Sequence, residues 1–419
     1  MMLSWLEEHL QKLNLVETMI QEDGFTRLGY SDLEWKSMEV FTTIAEQLGL
    51  HVRQDEAGNR IARWESVAEE SKSLPAVAVG SHVDTVTHGG GYDGVAGVLC
   101  ALGAIKKLKE KNFTPTYPVE VICFASEESS RFGISTIGSK AMAGTLSPEK
   151  IGHVKDEQGV SIKEAVEQQG LEWEKVTLAE RDRDALKSFL ELHIEQGVRI
   201  ENAGANFGAV TAIACPIRLK IKVQGQTGHT GTTPMKNRRD AFVAIAPLVS
   251  MISEKGQELS ERSAYPVVAT TSTINLEPNS MTSIPGLVEL GIDIRSVDDS
   301  LKEQMVALIK EKCIELEEKF CVNIEISTLV NNPSVKLDEA LLEKVKQYGE
   351  SIGYKSFVME SGAGHDVMNM AKKWPSGLIF IPCRDGLSHH PNEYASLEDL
   401  HMGVEILSEY ISREASKSK

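Results

Sequence analysis

Apolar residues follow two rhythms along this chain. In Pro75–Gly80 (PAVAVG), Val119–Ala125 and Gly377–Cys383 they run almost without a break, the pattern of short strands buried on both faces, and Ser188–Ile194 (SFLELHI) is a further predicted strand with polar residues set into it. After Asp93 they recur at helical spacing, at Val95, Val98, Leu99, Leu102 and Ile105. Helical patterns lie between many of the strand runs. The alternation predicts an α/β domain with a mainly parallel sheet and flanking helices. Ahead of it, Ser31-Asp32-Leu33-Glu34 reads as a capping box that opens a helix to about Leu48. Two short alternating runs, 51–53 and 60–64, joined by Asp55-Glu56-Ala57-Gly58-Asn59, predict a hairpin.

The middle of the chain changes rhythm. Strands are predicted over 217–223, 267–273, 287–295 and 322–327, and helices over 240–255 and 300–319. That order, β-α-β-β-α-β, is the split pattern of a small ferredoxin-like α+β domain. The expected organisation is a catalytic domain made of 1–214 and 330–419, interrupted by an insert at 215–329.

Composition narrows the picture without redirecting it. The chain has 419 residues, 41% hydrophobic and 25% charged, with a net charge of −17. No block of Lys and Arg offers the basic face that nucleic acid requires, so no nucleic-acid partner is expected. The six cysteines are scattered with no CxxC pair, and most sit in apolar runs, as reduced thiols in a cytosolic protein do. The N-terminal MMLSWLEEHLQKLNL carries acids within an amphipathic pattern and lacks the basic start and unbroken apolar core of a signal peptide. No apolar run approaches the length of a membrane span, so neither a membrane partner nor a location outside the cytoplasm is expected.

Polar groups suited to chemistry gather at the ends of the predicted strands. His82 follows the strand ending at Gly80, and Asp93 lies beyond a glycine-rich turn. Glu127 and Glu128 follow the strand that ends near Ala125, His193 closes another, and His389 lies in the loop after the last. Ligands in open α/β sheets bind outside the carboxyl ends of the strands. A His at a strand end is usually structural, and a Glu-Glu pair is usually a solvated face; five such groups at one sheet edge are more informative than any one. Histidine mixed with carboxylate suits Zn, Mn, Co or Ni. Asp93 has the chemistry to bridge two divalent ions, one held by His82 and His193, the other by Glu128 and His389. Asp84 points the way His82 does and is placed to orient its ring. Glu127 faces away from its neighbour in an extended segment and is free to act as a general base. The Gly89–Gly91 run lacks the Lys-Ser/Thr of a phosphate loop and the spacing of a dinucleotide fingerprint.

The strings GSHVDTV with YDGVAGV, FASEESSRFG with IGSKAMAG, ELHIEQG, GQTGHTGTTPMKNRRDA, DIRS, SGAGHD and DGLSHHPNEYAS carry a resemblance over almost the whole length. They resemble the hydantoinase/carbamoylase branch of the dizinc aminoacylase and carboxypeptidase G-type metallopeptidases. The resemblance implies hydrolysis of N-carbamoyl-L-amino acids, β-ureidopropionate or allantoate. It implies His82, Asp93, Glu128, His193 and His389 as ligands of two ions, and Glu127 as the base. His389 fits better than His390, because it stands one residue removed from Pro391. It also implies a homodimer through the insert, with His229 offered across the dimer to the carbonyl oxygen of a small-molecule substrate. Arg295 would grip the substrate carboxylate, and Gln196, Gly362 and Ala363 would contact substrate. Thr282 stands where the family often has Asn, and Asn279 is nearby but offset. A hydroxyl cannot offer an amide's paired donor and acceptor, so substrate recognition is expected to differ there.

The expected activity is therefore metal-dependent hydrolysis of a linear C–N bond in a small ureido carboxylate, first among them an N-carbamoyl-L-amino acid. Allantoate and N-acyl-L-amino acids are the alternatives within the enzyme class. A non-catalytic metal-binding dimer is the alternative outside it, which the intact Glu127 argues against.

Overall fold

The computed structural model describes residues 2–66 and 73–416. The chain divides into two compact units, one of residues 1–211, 336–359 and 365–419, the other of 212–335 and 360–364.

In the first unit the unbroken apolar runs become buried strands. In chain order the strands are β1 (His51–Gln54), β2 (Arg60–Trp64), β3 (Ala76–His82), β4 (Val119–Phe124), β5 (Leu186–Ile194) and β6 (Phe207–Ile213). The second unit carries β7 (Ile217–Gln224), β8 (Gly228–His229), β9 (Val268–Glu277), β10 (Ser283–Ile284), β11 (Leu287–Arg295) and β12 (Asn323–Asn331). The chain then returns through β13 (Val335–Lys336) and β14 (Ser356–Ser361) to β15 (Ser376–Ile381). The large sheet runs β1-β2-β4-β3-β5-β15-β6. Its centre, β4-β3-β5-β15, is parallel, with antiparallel strands on either side. Every residue of β3, β4 and β15 is buried, as strands covered on both faces require.

Register decides where the site lies. His82 at the end of β3 pairs with Phe124 at the end of β4, and His193 near the end of β5 pairs with Phe380 of β15. The loops that follow these strands therefore leave from one edge of the sheet. Helix Val95–Glu110 follows the first of those loops and is buried on most of its surface. Its Gly97 has no room for a side chain, since a Cβ there would sit 2.1 Å from the Leu192 carbonyl oxygen of β5.

Helix Asp32–Gln47 begins where its sequence predicts, with the Ser31 side chain accepting the Glu34 N–H. The expected return arm of the capping box is not made. Glu34 is fully buried, and its carboxylate accepts instead from the N–H of Tyr30 and, at 2.7 Å, of Ser126. A cap would have left Glu34 in solvent; the tertiary structure turns it inward to the residue before Glu127.

The second unit follows the β-α-β-β-α-β order, with helices Ala241–Arg262 and Asp299–Phe320 and an antiparallel sheet in the order β12-β7-β11-β9. Burial alternates along β7 and β11, so Ile217, Leu219, Ile221 and Val223 join Val288, Leu290, Ile292 and Ile294 in one core. Among the described residues no helix is long and apolar enough to cross a membrane.

Candidate metal centre

Two groups of donor atoms meet at the carboxyl edge of the parallel strands. His82, Asp93 and His193 form one, and Asp93, Glu128 and His389 the other; within each group the atoms lie within 4.8 Å of one another. Asp93 belongs to both and divides its oxygens between them. Its Oδ1 lies 3.4 Å from His82 Nε2 and 3.0 Å from His193 Nε2, and its Oδ2 lies 3.5 Å from His389 Nε2. Glu128 Oε1 is 3.3 Å from His389 Nε2.

The rings are held from behind. His193 Nδ1 is 2.9 Å from the Ile194 carbonyl, and His82 Nδ1 is 3.1 Å from the Asp84 carbonyl and 3.3 Å from its carboxylate. A ring whose Nδ1–H is given to an oxygen presents a lone pair at Nε2, the form that binds a cation. Asp84 does more than sequence reasoning assigned to it. Its two carboxylate oxygens accept the backbone N–H groups of Glu127 (3.0 Å) and Glu128 (2.8 Å). One buried side chain thus fixes a ring of the first group and the peptide that carries Glu128 of the second.

The backbone at this edge is unusual. Ser126, Gln196 and His389 all have φ between +50° and +60°, and Gly94 has φ of +65°. Left-handed geometry in residues with a Cβ is retained only where surroundings over-determine it. At Gly94 the reason is space as well, because a Cβ would lie 2.5 Å from the His82 ring.

Electrostatics favour a cation. Burial pushes His82 down, but hydrogen bonds to Asp84 and Asp93 and the charge of Glu127 more than offset it, leaving the ring well above its usual range. Burial likewise lowers His193, and the charge and hydrogen bond of Asp93 raise it overall. Hydrogen bonds to Asp93 and Glu128 push His389 up to about 11. Burial raises Glu127 well above the carboxylate range; His82 opposes this, and Glu128, Asp366 and Asp84 add to it. A field that raises the proton affinity of three imidazoles also favours divalent cations. The mixed nitrogen and oxygen donors, with Asp93 turned to both groups, fit borderline divalent ions such as Zn, Mn, Co or Ni.

Cation and proton compete for the same nitrogens, which gives a first prediction. Loading the ion-free protein with a divalent cation at about pH 8 releases the proton of His389, whose value of about 11 keeps it protonated there, whereas an imidazole titrating at about 6.5 would release almost none. The direction follows from the raised values: the rings stay protonated to higher pH, so affinity climbs as pH rises through them. Calorimetry in buffers of different ionisation enthalpy measures the release; none at pH 8 contradicts this reading.

Other singled-out residues take varied places. Glu127 lies 3.8 Å from His82 Nε2 and belongs to neither group. Gln196 donates to Asp93 Oδ2 at 2.7 Å and to Ser388 Oγ at 3.0 Å. His390 is exposed, its Nδ1 accepting the Asn392 N–H, and lies outside both groups. In the second unit the pairing of β8 with β10 sets His229 opposite Ser283, and Thr230 N–H reaches the Thr282 carbonyl at 3.2 Å. His229 Nδ1 accepts the Gly231 N–H at 3.0 Å, so its Nε2 carries the proton and is a donor. Arg295 gives Nε to Asp293 (2.7 Å) and Nη1 to the Gly362 carbonyl (2.9 Å), with Nη2 at 3.4 Å from Asp293. An ion pair with Asp293 therefore engages Arg295 at the strand end, and two of its five guanidinium N–H groups stay uncommitted among the described residues. Ala363 N–H turns back to Ser361 Oγ.

Sequence reasoning missed Glu34, Ser388 and Glu393. Glu34 masqueraded as a helix cap. Ser388 and Glu393 sit inside the LSHHPNEYAS string beside His389, where proximity to a candidate ligand was the available signal.

A model of the peptidase family M20/M25/M40 matches residues 78–413. A ureidoglycolate hydrolase of Oryza sativa subsp. japonica is 36% identical, over 93% of this chain and 80% of its own length. An N-carbamoyl-L-amino acid amidohydrolase of Geobacillus stearothermophilus is 34% identical over 92% of each chain. Among solved structures, an amidase of the hydantoinase/carbamoylase family from Burkholderia multivorans superposes with a TM-score of 0.87 at 28% identity, covering 100% of this chain and 98% of that one.

Proposed function

Since the chain belongs to the peptidase family M20/M25/M40, whose enzymes are metal-dependent, we propose that it is an amidohydrolase using two divalent cations to cleave a linear C–N bond in a small ureido carboxylate. The observation that carries this reading is Asp93, with one oxygen toward each donor group. His82 and His193 would hold one ion and Glu128 and His389 the other. Bound there, the ions supply Lewis acidity toward the scissile carbonyl and toward water.

The rest falls to the chain. Glu127, buried beside the first donor group, takes a proton from the attacking water and returns it to the leaving nitrogen. His229, contributed by a second copy, donates through Nε2–H to the carbonyl oxygen as negative charge develops there. Arg295, with its uncommitted N–H groups, binds the substrate carboxylate, and Gly362, whose carbonyl accepts an Arg295 N–H, and the adjacent Ala363 are further contacts. Gln196 and Thr282 complete the substrate contacts. For an N-carbamoyl-L-amino acid the balance is R–NH–CO–NH2 + H2O → R–NH2 + CO2 + NH3.

Ureidoglycolate joins carbamoyl amino acids and allantoate as a candidate, because a relative named for it shares 36% identity. A panel of these compounds with formyl and acetyl amino acids, after Mn, Co or Zn loading, tests the reading. Ammonia from a ureido compound is expected; acid release from acyl amino acids without ammonia would favour an acylase instead.

The homodimer is supported by the surface of the second unit. Phe242, Val243 and Val249 of helix Ala241–Arg262 and Val268 and Ile274 of the edge strand β9 are exposed apolar residues, a combination that a second copy would cover. Light scattering is expected to give twice the chain mass; a monomer that turns over substrate would remove His229 from the mechanism. The six cysteines are thiols rather than disulfides, five of them buried, which accords with a reducing cytoplasm.

A further inference from the structure

One buried carboxylate ties together two of the three loops that supply the second donor group. Glu393 is 4% exposed. Its Oε1 accepts the backbone N–H groups of Tyr92 (3.0 Å) and Asp93 (2.9 Å). Its Oε2 accepts Ser388 Oγ–H (3.1 Å) and the His389 backbone N–H (3.3 Å). The same hydroxyl lies 3.1 Å from Asp93 Oδ2, so its one proton is shared between the two carboxylates. The glycine run is shaped to this side chain, since a Cβ on Gly90 would lie 2.2 Å from Glu393 Oε1. The loop carrying Asp93 and the loop carrying His389 lie far apart in sequence, and Glu393 is a direct fastening between them.

His82 and His193 need no such fastening. They stand on adjacent parallel strands, and the hydrogen-bonded register of β3 with β5 sets their spacing. His389 stands in a loop with φ of +55°, beyond the end of β15. Nothing in the sheet fixes its distance from Asp93.

We propose that Glu393 is a positioning residue that sets the distance between Asp93 and His389, and so governs cation affinity at the Asp93–Glu128–His389 group more than at the His82–Asp93–His193 group, where the sheet sets both rings and Asp93 alone is within its reach. This rests on the two-cation reading above. Glu393→Gln keeps the shape and one acceptor oxygen but places an NH2 group against the His389 N–H, two donors face to face.

The test is Mn2+ binding to the full-length, ion-free protein, followed by calorimetry and by electron paramagnetic resonance of the bound ion. Wild type is expected to bind in two classes and to show a spin-coupled spectrum when full. In Glu393→Gln the weaker class loses affinity by about 10- to 100-fold, as is usual when a hydrogen-bond partner behind a ligand is removed. The stronger class stays within about threefold, and at equal loading the coupled signal gives way to that of an isolated ion. Ser388→Ala, which removes one of the four donors, gives a smaller loss in the same class and keeps the variant set interpretable should the Gln variant fold poorly. Two unchanged classes in both variants, or equal weakening of both classes, would overturn the proposal. A single class in wild type would overturn the two-cation reading itself.

Discussion

Glu127→Gln lowers kcat by about 10²- to 10⁴-fold while leaving cation content and melting temperature near those of the parent. The side chain binds neither donor group, so its loss removes no ligand. It lies 3.8 Å from His82 Nε2, within reach of a water on that group. Burial raises its proton affinity, so it both accepts a proton and gives it back. Glutamine has the shape and not the basicity. Removing a buried carboxylate crowded by Glu128, Asp366 and Asp84 costs the fold little, because that charge is repelled where it stands. Single-turnover rates with metal content measured on the same sample decide the matter. Turnover within about tenfold of wild type would mean that another group handles the proton.

Asp84→Ala is expected to cost stability and cation affinity together. Two buried backbone N–H groups, of Glu127 and Glu128, lose their acceptor, at about 1–3 kcal/mol each. His82 keeps only the Asp84 carbonyl behind its Nδ1, and affinity falls by about 10- to 100-fold. Asp84→Asn retains one acceptor oxygen and falls between. The buried Arg27, whose guanidinium hydrogen-bonds the Val83 carbonyl and Asn14 Oδ1, supplies the nearby positive charge that steadies Asp84 in wild type. Thermal unfolding of the ion-free protein isolates the first effect, and metal titration the second. An Ala variant that melts with the parent would show that water replaces the carboxylate without cost.

The parts legible in the sequence share a physical cause. Buried parallel strands need largely apolar runs, so β3, β4, β5 and β15 stand out, and each is followed by a polar residue that the apolar run makes conspicuous. His82, Glu128, His193 and His389 are visible for that reason. Strand order is not legible, because β15 enters beside β5 through pairing that no local pattern encodes. Side chains with two plausible destinations are not legible either. Glu34 has the spacing of a helix cap and serves Ser126 instead. Arg295 has the chemistry both to grip a substrate carboxylate and to pair at the strand end, and its contact with Asp293, two residues away, leaves part of its fork for the former. Glu393 looked like one more polar residue after a histidine, since its four hydrogen bonds depend on a loop that lies next to it only in the folded chain.

The place of β15 in the sheet bears on how the protein is made. A ribosome completes β5 and β6 early, then the whole of the second unit, and only afterwards Ser376–Ile381, the strand that lies between β5 and β6. Until then the nascent chain carries a slot in its largest sheet, with β5 apolar and unpaired on that side. His389 and Glu393 follow the same late strand. Premature termination between Ile213 and Ser376 would therefore release a chain with an open, adhesive sheet edge and without His389 of the candidate metal centre, a ready client for chaperones and proteases.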